Sequence, residues 1–211
     1  VRMGLDYVDV FYSHRYDPET PLEETMQALV DIVRQGKALY VGLSKYPAGK
    51  AEEAYRYLEA RDVHCLLYQG RYNLFDRAPE EEGILGQARA YGVGFIAFSP
   101  LAQGLLTSRY LQGVPEDSRM AQGRFLKREV LTEAVLGKIK ALDRVAADRG
   151  QTLAEMSLAW VLKDELVTSV IIGASSVAQL EDNLKALRKV DFSKEELDRI
   201  EAICHTPDGG Q

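Results

Sequence analysis

The side chains best suited to chemistry in this sequence stand singly, at the ends of apolar runs, and not in clusters. Leu5-Asp6-Tyr7-Val8-Asp9-Val10-Phe11-Tyr12-Ser13-His14-Arg15 ends a β-rich run in an imidazole and a guanidinium. It reads as a buried strand whose side chains repeat every second residue, so Val8, Val10, Tyr12 and His14 share one face. If that face lines a cavity, His14 sits at its mouth. Ser44, Gln69, Ser99 and Ser175 also lie at or just past the ends of strand-like runs, and each taken alone is a polar residue at the entry to a loop. Arg109 and Arg119 stand in a long segment without period; taken alone they are a solvated pair. His64-Cys65 lies in a strand pattern and Cys204-His205 near a terminus, so neither makes a metal site, and two cysteines give no disulfide framework. Gly92-Val93-Gly94 precedes a strand, which makes it a turn and not a phosphate loop.

The elements that position these residues alternate between strand-like and helix-like. Thr20-Pro21-Leu22-Glu23 supplies an N-cap, a proline at the first helical position and a capping-box glutamate. Leu22, Met26, Leu29, Val30 and Val33 then recur at helical spacing until Gly36. Ala38 to Ser44 is a strand, Pro47 to Arg61 a helix, Val63 to Gln69 a strand, Glu80 to Tyr91 a helix and Gly94 to Ser99 a buried strand. Pro100 to about Lys127 is rich in Gly, Arg and Ser, and loops of that length are usually lids or binding loops. Helices follow from Glu129 to about Arg149 and from Thr152, where Glu155 completes a capping box. Val167 to Gly173 is the last strand; a helix with Leu180, Leu184 and Leu187 follows, then one capped by Ser193 and Glu196.

Strands alternating with crossover helices imply a parallel sheet. A doubly wound sheet lacks its usual glycine-rich first turn here, whereas in an eight-stranded barrel functional residues come from the C-terminal ends of successive strands, the pattern seen from His14 to Ser175. With 211 residues, 46% hydrophobic and 27% charged, the chain reads as one globular domain with room for a core. A net charge of -6 argues against nucleic-acid or acidic-membrane partners. No apolar run approaches the roughly 20 residues of a membrane span, and the N-terminus has no signal-peptide pattern, so the cytoplasm is the default compartment.

Tyr7-Val8-Asp9-Val10-Phe11-Tyr12-Ser13-His14-Arg15, Gly42-Leu43-Ser44, Tyr68-Gln69 through Tyr72-Asn73-Leu74, Phe98-Ser99-Pro100-Leu101-Ala102-Gln103-Gly104-Leu105-Leu106 and Ile172-Gly173-Ala174-Ser175 are, in that order, similar to the aldo-keto reductases. That resemblance implies an α/β fold, the (β/α)8 TIM barrel, of which this chain holds strands four to eight with their helices. Residues 1–211 then form the C-terminal part of a single barrel. At about 30 residues per strand-helix unit, roughly 90 residues of the family's barrel would precede Val1.

The chemistry implied is reduction of a small aldehyde or ketone by hydride transfer from NADPH. Of the family's catalytic aspartate, tyrosine, lysine and histidine, only the histidine maps here, as His14, the donor at the carbonyl oxygen. The chain alone is therefore expected to be inactive. Ser44 and Gln69 are expected to hold the nicotinamide carboxamide, joined by Lys45, which stands where the family commonly has asparagine; Phe98 would stack on the ring. Ser99, Pro100, Leu101, Ala102, Gln103 and Gly104 would wrap the pyrophosphate. Arg109, Arg119, Gly173, Ser175, Gln179, Asp182 and Asn183 would take the adenosine end, the arginines favouring a 2'-phosphate and hence NADP. No metal is expected, and homo-oligomerisation is left open. A second class is a cofactor-binding regulatory subunit, like the potassium-channel β subunits that use this fold; they carry asparagine where this chain has His14.

Overall fold

In the computed structural model, which describes residues 3–111 and 130–205, a parallel sheet is laid down in chain order. Strands β1 (Val8–Ser13), β2 (Ala38–Ser44), β3 (Cys65–Arg71), β4 (Gly94–Phe98) and β5 (Ser169–Ile171) are neighbours in that sequence. The first three pairings are parallel, with Ser13 beside Leu43, Ser44 beside Gln69 and Arg71 beside Phe98. β5 is joined at its start, where Thr168 N donates to Phe95 O at 2.8 Å. An order that never reverses is that of a (β/α) barrel wall, not of a doubly wound sheet with its switch point.

Helices α1 (Leu22–Arg34), α2 (Ala48–Glu59), α3 (Ala78–Glu81) and α4 (Ile84–Ala90) alternate with the first four strands. α1 buries Leu22, Met26, Leu29 and Val30, and α2 buries Ala51, Ala54, Tyr55 and Leu58. These are single stripes at helical spacing, and each large apolar side chain removed from water contributes about 1.5–3 kcal/mol. Beyond β4 come 3-10 turns at Ala102–Gly104 and Ser108–Tyr110, then α5 (Glu133–Asp148), α6 (Leu153–Val161), α7 (Val177–Leu184) after β5, a 3-10 turn at Lys185–Arg188, and α8 (Lys194–Cys204). The chain divides into two compact units. The first holds Val1–Arg71, Arg77–Phe98 and Leu166–Ser169; the second holds Tyr72–Asp76, Ser99–Glu165 and Val170–Gln211.

Several expectations are met: the five strands, Ala38–Ser44 residue for residue, and capping boxes at Thr152/Glu155 and Ser193/Glu196. Others are corrected. β1 is not buried; Val8, Val10 and Tyr12 are half-buried and Asp9 and Phe11 exposed, because β1 is the first strand in the order and among the described residues pairs only with β2. Thr20 does not cap α1, since its hydroxyl donates to Asp17 Oδ2 at 2.8 Å while Glu19 N takes Asp17 Oδ1 at 3.0 Å. These two hydrogen bonds hold the Asp17 carboxyl below its ordinary pKa. The helix expected over 80–91 is broken at Gly83, whose φ of 76° lies in the left-handed region and separates α3 from α4. β3 starts two residues later than the apolar pattern suggests, and α5 starts at Glu133 because the Thr132 side chain accepts from Val135 N. The helix expected to carry Leu180, Leu184 and Leu187 ends at Leu184, with Leu187 in the 3-10 turn that follows, and all three side chains are exposed. Among the described residues no helix is long and apolar enough to cross a membrane.

Candidate functional site

In the first unit the chemistry-bearing residues sit at the C-terminal ends of parallel strands. His14 is the residue after β1, exposed, and it makes no hydrogen bond or ion pair among the described residues. Ser44, 2% exposed, ends β2 opposite Gln69 of β3, and Phe98 ends β4 opposite Arg71. The register therefore brings Ser44 and Gln69 side by side. Lys45 follows at a left-handed φ of 56°, its ammonium 5.7 Å from the centre of the Phe98 ring. That turn is held from outside the expected set: Tyr68 Oη accepts from Tyr46 N at 3.1 Å and donates to Tyr46 O at 2.8 Å, while Tyr46 Oη bonds Ser13 Oγ at 2.6 Å. Burial pushes the Tyr46 hydroxyl up and the Tyr68 hydroxyl up to about 12. Both hydroxyls serve the turn as hydrogen-bonding posts. Lys45, Tyr46, Tyr68 and Glu82 also line a cavity of about 600 Å³.

The second unit contains a concavity of about 740 Å³. One wall is the loop after β4, through Ser99, Pro100, Leu101, Gln103, Gly104, Thr107 and Arg109; the other is Ile171 to Ser175 with Gln179. Three non-glycine residues of the loop are held left-handed, Ser99 (54°), Ala102 (46°) and Gln103 (59°), followed by Gly104 at 104°. Such conformations cost on the order of 1–3 kcal/mol each and persist only where the surroundings impose them. Thr107 closes the loop, its hydroxyl donating to Gly104 O at 2.7 Å and accepting from Arg109 N at 3.3 Å. Across the cavity Gln179 Oε1 accepts from Ser175 N at 2.7 Å and from Ser175 Oγ at 3.0 Å, and Ser176 caps α7 through Gln179 N. The free amides of that helix start carry partial positive charge suited to an anion.

Of the residues expected at a dinucleotide, the second unit brings together Ser99, Pro100, Leu101, Gln103, Gly104, Arg109, Gly173, Ser175 and Gln179 on one cavity. Ala102 lies within the loop without lining it. Asp182 and Asn183 stand further along α7, the Asp182 carboxylate paired with Lys185 at 2.6 Å. Arg119 lies outside the described residues. Among the described residues five buried side-chain atoms have no partner, Gln103 Oε1, Asn183 Nδ2, Tyr55 Oη, Gln87 Oε1 and Ser157 Oγ, and of these residues Gln103 lines the cavity. An open acceptor on a cavity-lining residue fits a ligand that offers a donor. Thr107 and Ile171 line the cavity without having been singled out in the sequence, while Ile172 and Ala174 were named there only as part of a motif and given no role. Among the described residues no group of three His, Cys, Asp or Glu could hold a metal ion.

Comparison with known proteins follows the same lines. The Aldo/keto reductase family model matches residues 1–205. The L-glyceraldehyde 3-phosphate reductase of Escherichia coli (strain K12) is 48% identical over 212 residues, covering 99% of this chain and 61% of the relative. A probable voltage-gated potassium channel subunit beta of Oryza sativa subsp. japonica is 38% identical, covering 97% and 64%. The crystal structure of a thermostable aldo-keto reductase in complex with the inhibitor epalrestat superposes with a TM-score of 0.71 at 30% identity, over 96% of this chain and 62% of that one. The chain thus spans about three-fifths of the length of these relatives, and its five ordered strands are a part of their barrel. With a family match that runs through every described element, the chain belongs to the Aldo/keto reductase family, a family of oxidoreductases.

Proposed function

We propose that this chain supplies the cofactor-holding and carbonyl-orienting residues of an NADPH-dependent reductase of small aldehydes, of the glyceraldehyde 3-phosphate or methylglyoxal type. The observation that carries the reading is the 740 Å³ cavity, which joins a strained loop, a helix N-terminus and Arg109. When bound, NADPH supplies the hydride for the carbonyl carbon. The loop from Ser99 to Gly104 binds the pyrophosphate through its backbone. Ser175 and Gln179, with Asp182 and Asn183 behind them, bind the adenosine end, and Arg109 opposes the 2'-phosphate. Ser44 and Gln69, adjacent in register, orient the nicotinamide amide, since a hydroxyl and a primary amide together satisfy a group that both donates and accepts. Phe98 stacks on the ring, and Lys45 steadies Phe98 from its own turn.

His14, exposed and without a partner among the described residues, donates to the substrate's carbonyl oxygen as charge builds there. The family's tyrosine acid, with its lysine and aspartate, does not map onto this chain's motifs, and no residue here is assigned to protonate the alkoxide. The name of the E. coli relative supports the aldehyde reading and that of the rice relative a regulatory one; His14 favours the former. The test is His14→Ala in a form extended to the length of the relatives. Turnover of glyceraldehyde 3-phosphate or methylglyoxal should fall while NADPH affinity holds. Loss of cofactor affinity with turnover at saturation unchanged would assign His14 the wrong role.

A further inference from the structure

Asn73 belongs to a sequence motif that the cofactor reading leaves without a role, and it is only 2% exposed. Its side chain is fully engaged in two directions. Oδ1 accepts from Phe75 N at 2.9 Å and from Asp76 N at 3.0 Å, closing a tight turn that the Asn73 and Asp76 backbones also bridge. Nδ2 donates to Ser99 O at 3.0 Å. The neighbouring Tyr72 fixes the turn from the other side: it is 1% exposed, its ring lies 5.3 Å from that of Trp160, and its hydroxyl accepts from Lys163 Nζ at 3.2 Å.

Ser99 is where the cavity loop begins, and its backbone is left-handed at φ 54°. Its carbonyl also accepts from Ala102 N at 2.9 Å, the first of the bonds that fold the loop; Gly104 N and Leu106 N then donate to Leu101 O at 2.8 and 3.2 Å. A serine has no preference for that conformation, and its side chain makes no hydrogen bond among the described residues. We propose that Asn73 is a positioning residue: by holding the Ser99 carbonyl it keeps Ser99 left-handed and so sets the shape of the dinucleotide loop. The proposal concerns this loop's geometry, and only its effect on NADPH rests on the function proposed above.

The test is a double-mutant cycle of Asn73→Ala and Ser99→Gly in the 211-residue chain, read by amide hydrogen exchange across 99–107 without cofactor. Glycine takes a positive φ without a Cβ penalty, so it should make the clamp dispensable. Asn73→Ala should speed exchange at Ala102, Gly104 and Leu106 by about tenfold, beyond any change at the amides of Leu153–Val161 in α6. Relative to Ser99→Gly alone, the double variant should show less than half of that acceleration on a logarithmic scale. An NADPH titration of the same four proteins should show the same pattern, about a tenfold weakening that the glycine largely restores. Uniform acceleration through α6 without glycine rescue would make Asn73 a stabilising residue only and overturn the proposal, as would a wild-type loop with no protection. If wild type binds no NADPH, the cofactor reading fails, and the exchange cycle still decides the role of Asn73.

Discussion

Replacing Arg149 with alanine should be among the most damaging single changes in the second unit. The Arg149 side chain is 1% exposed and ends α5 among groups from a distant part of the chain. Its guanidinium pairs with the Glu196 carboxylate, donates to Gln151 Oε1 at 2.9 Å and to Asp191 O at 3.0 Å, and lies 3.6 Å from the centre of the Phe192 ring. Truncation deletes a buried cation and strands its acceptors, a change that costs about 3–5 kcal/mol when one partner of a buried pair is lost. Glu196 is 24% exposed and keeps its capping bond to Ser193 N at 2.8 Å, so water and the cap compensate it in part; the expected loss is about 3 kcal/mol. Trp160, the chain's single tryptophan, is buried in the same unit and reports its unfolding by fluorescence in urea. The midpoint should fall with the slope unchanged. Arg149→Met combined with Glu196→Gln, which removes the pair and keeps the packing over Phe192, should cost less than Arg149→Ala. A loss below about 1 kcal/mol for Arg149→Ala would refute the reasoning, because it would equate a buried guanidinium with an exposed surface pair.

Gly70→Ala should cost about 1–3 kcal/mol, since an added Cβ would lie 2.7 Å from Phe95 Cζ and Phe95 is 0% exposed; urea unfolding checks it, and a neutral result would mean the ring has room to move. Burial pushes the Cys65 thiol up to about 12 from 9.0, so the folded chain holds that proton where the unfolded chain loses it. The stability it contributes is whole below pH 9 and falls as pH rises from there toward 12. The urea midpoint should drop across that window and drop less in Cys65→Ala, and an equal drop in both would remove Cys65 from the account. The apolar side chains of Tyr7 just before β1, Phe11 on β1, Leu39 and Tyr40 on β2 and the strip Val177, Leu180, Leu184 and Leu187 are exposed, which predicts concentration-dependent association of the 211-residue chain. Light scattering should show species above 23.6 kDa, reduced by Phe11→Lys; a monodisperse monomer would contradict it.

What the sequence disclosed follows from how local each signal is. Capping at Thr152 and Ser193, the stripe on α1 and the Ala38–Ser44 run depend on neighbours a few residues away, and all appear as read. Polar residues at strand ends were legible for the same reason, because a strand end is a local event. Burial was not: Tyr7 to Tyr12 has a core-like composition, yet among the described residues β1 pairs with β2 alone, and exposure is set by strand order, which no local pattern carries. The period of Leu180 and Leu184 on α7 likewise marks a face without saying what covers it, and both are exposed. Within the site, Gln103 and Ser175 could be named from a motif, but the left-handed loop and its clamp by Asn73 depend on a hydrogen bond between residues 26 positions apart.

The central claim is that the second unit's cavity binds NADPH, with Arg109 on the 2'-phosphate. The most direct measurement is the pair of dissociation constants for NADPH and NADH, by titration calorimetry, on the chain and on Arg109→Ala. The account predicts saturable NADPH binding that Arg109→Ala weakens by about 1.5–3 kcal/mol, or at least tenfold, with NADH affinity nearly unchanged. Equal losses for the two cofactors would move Arg109 off the 2'-phosphate, and the absence of saturable binding of either would contradict the account.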